Sequence, residues 1–262
     1  RGYKAGSFPA LAGSTFTAYA PVTQESVTAY EAGVKAGLFD RRVQLNAAAF
    51  YYNYGNKQVR GKLSDPIFGV LDALVNVPKS RIWGAEADIS VKATPDLTLM
   101  GSVTYLKSKV QKNPAAPGNV NVFGELDSFV GDKLPYTPKF SASAGIEYRP
   151  EMFGGHPFVG VNLNYRSSQD AALGGSRLLW GTDPSILLSH APGLDRVFFI
   201  KSYALVDARA GYEAEGGAWR VMVWGKNILN KNYTAAVIPF KDGAAVMTGM
   251  PVTYGLTIGF KI

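Results

Sequence analysis

Two histidines and no cysteine narrow the chemistry this chain can perform. Without thiols there is neither a disulfide framework nor a Cys-ligated metal site. His156 falls in what reads as a short turn, and His190 has no second histidine near it in sequence, so neither marks metal ligation. The group best placed to activate water is His190 with Asp183 or Asp195, an arrangement that suits a hydrolase whose site lies on the rim of its scaffold. The other residues with chemical potential are cations and aromatics in long connections: Arg60, Lys62, Arg177, Trp180 and Tyr233. They offer charge and ring faces to an anionic, aromatic ligand.

The elements that must position these groups are strands. From Thr253 to Ile262 the chain alternates without interruption. Tyr254, Leu256, Ile258, Phe260 and Ile262 form one apolar set, and Thr253, Gly255, Thr257, Gly259 and Lys261 form the small or polar set between them. The same period of two recurs in hairpins. Tyr30, Ala32, Val34, Ala36 and Leu38 precede a turn at 39–41, and Val43, Leu45, Ala47, Ala49 and Tyr51 follow it. Trp83 to Val91 and Leu97 to Tyr105 flank a turn at 94–96. Phe140 to Tyr148 pairs with Val159 to Tyr165, and Ala204 to Tyr212 with Trp219 to Val223. With Arg1 to Phe8 and the closing segment, the count is about ten strands of roughly nine to twelve residues, the length of a tilted membrane crossing.

The connections sort by length. Those at 39–41, 94–96, 149–157 and 214–217 are short, and those at 9–25, 55–80, 110–136, 168–200 and 229–250 are long. Short turns at one end and long loops at the other are the pattern of an outer-membrane barrel, with long loops outside the cell. A soluble sandwich also alternates, but it has no reason to segregate its loops. The charged residues agree: Glu31, Lys35, Glu86, Asp88, Lys92, Glu147, Arg149, Asp207, Arg209 and Glu213 all fall on the polar face. A basic group facing lipid at mid-membrane would cost on the order of 2–4 kcal/mol. Tyr51, Tyr105 and Tyr165 end strands beside long loops, while Tyr148, Tyr212 and Trp219 stand beside short turns, as two interfacial girdles require.

No apolar run reaches the roughly 18 to 20 residues of a membrane helix. A mean hydropathy of −0.01 hides a barrel's membrane signal, because half of each strand faces water. The net charge of +7 is dispersed without a Lys/Arg block, which favours anionic ligands or lipid A phosphates and disfavours nucleic acid. Residues 1–8 carry no basic-then-apolar leader pattern, so any signal peptide is expected upstream or already removed.

Several stretches resemble the C-terminal barrel portion of the TonB-dependent outer-membrane receptors. They are Arg1 to Phe8, the Glu25 to Lys35 strand with its Tyr30-Glu31-Ala32-Gly33, and Leu45 to Tyr52. Gly84-Ala85-Glu86-Ala87-Asp88, Leu134-Pro135-Tyr136-Thr137-Pro138 and Lys226-Asn227-Ile228-Leu229-Asn230-Lys231-Asn232-Tyr233 continue the likeness in the same order. The resemblance implies an all-β transmembrane antiparallel barrel, of which about ten strands here are the last ten of about 22. Arg1 would then lie in strand thirteen, with the plug and the TonB-contacting segment N-terminal to this chain. It also implies a multi-pass outer-membrane protein of a Gram-negative bacterium that imports a scarce ligand, a ferric siderophore above others, with no cofactor and no enzymatic step. Partners implied are TonB, the barrel-assembly machinery, and lipopolysaccharide with outer-membrane lipid. Under this resemblance Arg60, Lys62, Arg177, Trp180 and Tyr233 are the candidate contacts to an iron chelate. The final residue is Ile262 where the family has an aromatic, but Gly255, Ile258 and Phe260 fit its barrel-assembly signal. A self-contained ten-stranded barrel acting as protease, passive pore or adhesin is the alternative.

Overall fold

The alternation closes into one antiparallel ladder. The computed structural model describes residues 1–8, 20–177, 196–239 and 244–261. Its strands are β1 (Gly2–Lys4), β2 (Glu25–Leu38), β3 (Val43–Asp65), β4 (Gly69–Lys92), β5 (Leu97–Lys112), β6 (Phe140–Tyr148) and β7 (Gly155–Arg166). They continue as β8 (Gln169–Asp170), β9 (Phe199–Ile200), β10 (Tyr203–Ala214), β11 (Trp219–Lys226), β12 (Thr234–Pro239), β13 (Ala244–Thr248) and β14 (Thr253–Phe260). Ten of them form a single sheet in the order β1-β2-β3-β4-β5-β6-β7-β10-β11-β14, with every neighbouring pair antiparallel. These are the ten strands that the periodicity marks. Among the described residues the only helical piece is a 3-10 turn at Glu215–Gly217.

Register turns the alternation into two continuous faces. One row of partners from β2 to β10 reads Val34, Ala47, Ala87, Val103, Ala142, Tyr165 and Ala204. The adjacent row reads Lys35, Asn46, Asp88, Ser102, Ser143 and Asn164. The apolar face is bare: Val34, Val103, Tyr165, Val223, Leu256 and Phe260 are all exposed. A water-soluble protein does not leave so broad an apolar surface uncovered. In hydrocarbon that surface is solvated by lipid, and the ladder satisfies the backbone groups that lipid cannot.

The opposite face holds its charges in pairs. Asn46 Nδ2 donates to Asp88 Oδ2 at 2.7 Å, and the Tyr52 hydroxyl donates to Glu31 at 2.6 Å. Arg149 meets Glu213 at 2.9 Å, Arg220 approaches the same carboxylate at 3.9 Å, and Arg209 pairs with Glu147. The rings stand at both ends of the apolar face. Tyr212 lies against Trp219 at 5.3 Å beside a short turn, and Phe140 against Tyr165 at 5.9 Å beside the long loops.

The connection at 55–80 is not irregular. β3 and β4 run through it in continuous pairing as far as Asp65↔Gly69. The ladder is broken only at Asn56, which takes a left-handed φ of 51° opposite Pro78, a residue with no N–H to give. At the tip Asp65 Oδ1 accepts from the Ile67 and Phe68 amides at 2.9 and 3.0 Å, an Asx turn that closes the hairpin. The extension therefore stands beyond the membrane on the long-loop side. It carries no clean alternation of apolar residues because it is solvated by other loops.

Placing a charge on either face separates the two environments. In the full-length protein, Val103→Arg should cost about 2–4 kcal/mol of folding stability in lipid vesicles, whereas Ser102→Arg on the other face should cost little. Urea titration of the vesicle-inserted protein reads the difference.

Candidate functional site

Away from lipid, the long connections must build a core of their own, and they do. Val77, Ile82, Val110, Phe129, Leu134 and Leu173 form one buried cluster. Val122, Ala171, Ala172, Phe198, Ile200 and Val237 form a second. Both draw on several loops at once, so the connections pack as one layer over the outer end of the sheet.

Polar ties fix the layer. Tyr136 adopts a left-handed φ of 55°, a conformation that costs a non-glycine residue on the order of 1 kcal/mol. Its hydroxyl donates to the Val237 carbonyl at 2.7 Å and accepts from the Val237 amide at 3.3 Å, while its own amide donates to Asp170 O at 2.8 Å. One residue thus joins the 110–136 connection to β8 and to the β12–β13 hairpin. Asp170 is 2% exposed, and burial raises its carboxyl above the usual range against the opposing pull of Lys133 and Ser176.

Between these ties lies a cavity of about 190 Å³, lined by Arg60, Lys62, Phe129, Tyr136, Leu173 and Val237 among others. Lys62 is its buried cation, 2% exposed. Its ammonium lies 3.0 Å from Asp72 Oδ1, the residue directly opposite it in the β3–β4 register, and 3.5 Å from the Pro239 carbonyl. Arg60, two residues away on the same face, reaches Asp72 only at 3.7 Å and keeps its guanidinium nearly half exposed. One carboxylate thus faces two cations, which leaves the wall of the cavity net positive and able to hold an anion against apolar and aromatic surface.

The other candidate contacts have different surroundings. Arg177 is bound by Asp132 at 2.6 Å and Asp127 at 3.4 Å and donates to the Ser128 carbonyl at 3.1 Å, so its charge is committed to loop-to-loop bridging. The pKa of its guanidinium is raised above the ordinary range, chiefly by the hydrogen bonds it donates to Asp132. Tyr233 stacks on Tyr203 with centroids 4.5 Å apart, and a side chain at Gly249 would collide with its ring. It anchors the base of the last long connection. Trp180 lies outside the described residues, as do His190, Asp183 and Asp195. His156 sits at the start of β7 opposite Glu213, on the short-turn side and far along the strands from the loop layer. The described residues contain no group of three or more His, Cys, Asp or Glu side chains suited to a metal ion.

Two further groups matter that the sequence left unmarked. Asp72 is identifiable only through its register with Lys62. Asn227, in the Lys226 to Tyr233 stretch, is 4% exposed with φ 48°, and its side chain bonds the Lys231 and Met250 carbonyls at 3.0 Å each. Its amide donates to Asp207 at 2.8 Å, so this asparagine clamps both ends of the last connection onto the sheet. In β14, Ile258 and Phe260 face outward and exposed, while Gly255 makes room for the ring of Trp224, whose Nε1 donates to Thr257 at 3.2 Å.

Stripping the buried ammonium of its partner should be costly. Asp72→Ala is expected to destabilise the outer part of the β3–β4 hairpin by about 3 kcal/mol, and Lys62→Met with Asp72→Leu to recover most of it. Hydrogen exchange at the Val59 to Leu63 amides in the full receptor measures both.

Comparison with known proteins agrees with this architecture. Residues 1–228 match the family model described as TonB dependent receptor-like, beta-barrel. Among solved structures, the ferric yersiniabactin uptake receptor FyuA from Yersinia pestis is 16% identical with a TM-score of 0.69, over 98% of this chain and 33% of that one. The siderophore receptor PiuA from Acinetobacter baumannii is 19% identical with a TM-score of 0.65, over 91% of this chain and 29% of that one. The copper transporter OprC is 15% identical with a TM-score of 0.61, over 91% and 32%. This chain spans about a third of the length of each. The family it matches consists of transporters and not enzymes. With its bare apolar face, its sorted loops and this match over most of its length, the chain belongs to the TonB-dependent receptor β-barrel family and is an outer-membrane protein of a Gram-negative bacterium.

Proposed function

We propose that this chain is the C-terminal part of the barrel of an active-transport receptor that captures a scarce anionic ligand, a ferric siderophore, and admits it with energy delivered through TonB. The observation that carries the reading is the loop-layer cavity, where Arg60 and Lys62 share a single carboxylate beside Phe129 and Tyr136. Catecholate complexes of iron present negative charge and flat rings, which exposed guanidinium and ring faces recognise. The likeness to the ferric yersiniabactin uptake receptor FyuA and the siderophore receptor PiuA supports the same reading. The copper transporter OprC shares the fold at 15% identity, so the fold by itself does not specify the ligand.

In this reading Arg60, with Lys62 behind it, meets the ligand first, Tyr233 borders the same end of the barrel, and Trp180 is a further candidate contact by its residue type. Arg177 serves capture indirectly by holding the 110–136 connection in place. Gly255, Ile258 and Phe260 serve the barrel-assembly machinery, since they lie on a strand whose outward side is unobstructed.

Growth of a deletion strain on single defined iron sources tests the reading. Loss of growth on one or more ferric siderophores, restored by the full-length gene only where TonB is present, is the expected result. Arg60→Glu in the full receptor should weaken binding of that anionic ferric complex about tenfold or more, measured by tryptophan fluorescence quenching. Unchanged growth on every iron source together with failure under copper limitation would overturn the siderophore assignment.

A further inference from the structure

We propose that the loop-layer cavity takes a single aromatic ring bearing one acidic group, with the acid turned toward Arg60 and Lys62. The ring is either a free aromatic acid or the outermost arm of a larger complex. The cavity's part in capture rests on the proposed function, while the ring-and-acid chemistry needs no iron, so the two can fail separately.

Size sets the first limit. Pockets that enclose a whole drug-sized molecule run to about 300–1,000 Å³. An apolar cavity of about 150 Å³ holds one benzene. At about 190 Å³ this space accommodates one substituted ring and leaves the rest of any larger ligand outside. Four stretches of chain enclose it: the β3–β4 extension, the 110–136 connection, the segment after β8, and β12. The isolated bridge between Lys62 and Val120 ties the charged wall to the apolar one.

Wall chemistry sets the second limit. Val122, Phe129, Leu173 and Val237 are buried and offer only hydrocarbon. The Tyr136 hydroxyl is committed to the Val237 carbonyl and amide, so what remains of that side chain is ring surface. A sugar, a hydroxyacid or a bare inorganic anion would lose water along these walls without regaining hydrogen bonds. A flat ring loses nothing there and gains ring contacts with Phe129 and Tyr136.

One end of the cavity has the opposite need. An ammonium has three N–H donors. Among the described residues that of Lys62 makes one hydrogen bond, a long one of 3.5 Å to the Pro239 carbonyl. Its 3.0 Å approach to Asp72 Oδ1 is a contact of charges only, since that oxygen is shielded from water and accepts no hydrogen bond. A buried ion pair needs further hydrogen bonds to offset its lost hydration. A carboxylate or phenolate oxygen at this end gives Lys62 an acceptor, and the nearly half-exposed Arg60 guanidinium has donors free for the same group. Two cations against one carboxylate leave a single positive charge, so one acidic group on the ring neutralises the site.

The test uses the full-length protein in detergent without iron, titrated calorimetrically with benzoate, with hexanoate as a flexible acid and with benzyl alcohol as a neutral ring. Benzoate should bind saturably and about tenfold or more tightly than either control. Lys62→Met with Asp72→Leu should abolish the preference for benzoate over benzyl alcohol, Arg60→Gln should reduce it, and Lys35→Gln on the lumen face should leave it unchanged. Heat-modifiable gel mobility establishes that each variant is folded, and Arg60→Gln, at an exposed side chain, decides the matter if the double variant is not. Ferric tris(2,3-dihydroxybenzoate) separates the two sources: its displacement by benzoate assigns the ring to an arm of the complex, and benzoate binding without competition assigns it to the free acid. Absence of saturable benzoate binding to folded wild type, equal affinity for all three probes, or an undiminished preference in the folded variants would overturn the site even where a ferric siderophore is captured. Benzoate binding without growth on any iron source would overturn the siderophore reading and leave the site standing.

Discussion

The register of the sheet is the constraint from which the rest of the molecule follows. Side chains alternate with a period of two, so a slip by one residue would exchange the two faces entirely. Lys35, Asp88, Glu147 and Arg209 would then enter hydrocarbon, and Val34, Ile89, Ile146 and Val161 would enter water. With about 2–4 kcal/mol at stake for each basic group near mid-membrane, no neighbouring register competes. Inter-strand hydrogen bonds supply what the lipid cannot, while the apolar side chains are stabilised by lipid and hardly by one another. Ion pairs such as Arg149–Glu213 at 2.9 Å are partly exposed to the lumen, where they add little energy but reinforce the register.

A different balance governs the outer end. Above Asn56 and Pro78 the same parity that faces lipid at Tyr51 and Trp83 becomes buried at Val75 and Val77 and partly buried at Val59. Water replaces lipid there, so apolar residues must be covered by protein, and the connections fold inward to cover them. The requirement produces the two hydrophobic clusters, the Tyr136 tie and the cavity between them. Recognition is possible at this level because here the described residues enclose a space with walls of mixed character. The sheet below offers two open faces.

How much of this can be read from the residues depends on which solvent a segment meets. Every strand that crosses hydrocarbon announces itself, since lipid on one side and water on the other enforce strict alternation; Thr253 to Phe260 is the clearest case. The β3–β4 extension does not, because Gly55, Asn56, Gly61 and Pro78 interrupt the pattern and its apolar partners lie in other loops. Arg177 carries no sign in the sequence that Asp127 and Asp132 saturate it, since those residues are brought to it by loop packing across some 45 to 50 positions. The burial of Lys62 is hidden for the same reason: only the register that sets it against Asp72 makes a lysine tolerable there.

Charge sorting joins these levels. A net charge of +7 spread along the sequence looks uniform, yet the fold divides it among three surroundings. In the lumen, Arg149, Arg209 and Arg220 are matched with Glu147 or Glu213. In the loop layer they are shared unevenly, two against Asp72 and one against the pair Asp127 and Asp132. On the outer face of β4 and β5 they stand opposed to one another without acids among the described residues. The three cations of the loop layer face three carboxylates, so the unmatched positive charge stands on the outer face, where the protein meets something other than itself. A chain whose charges served only solubility would have no reason to leave its membrane-side cations facing each other while pairing the ones in water.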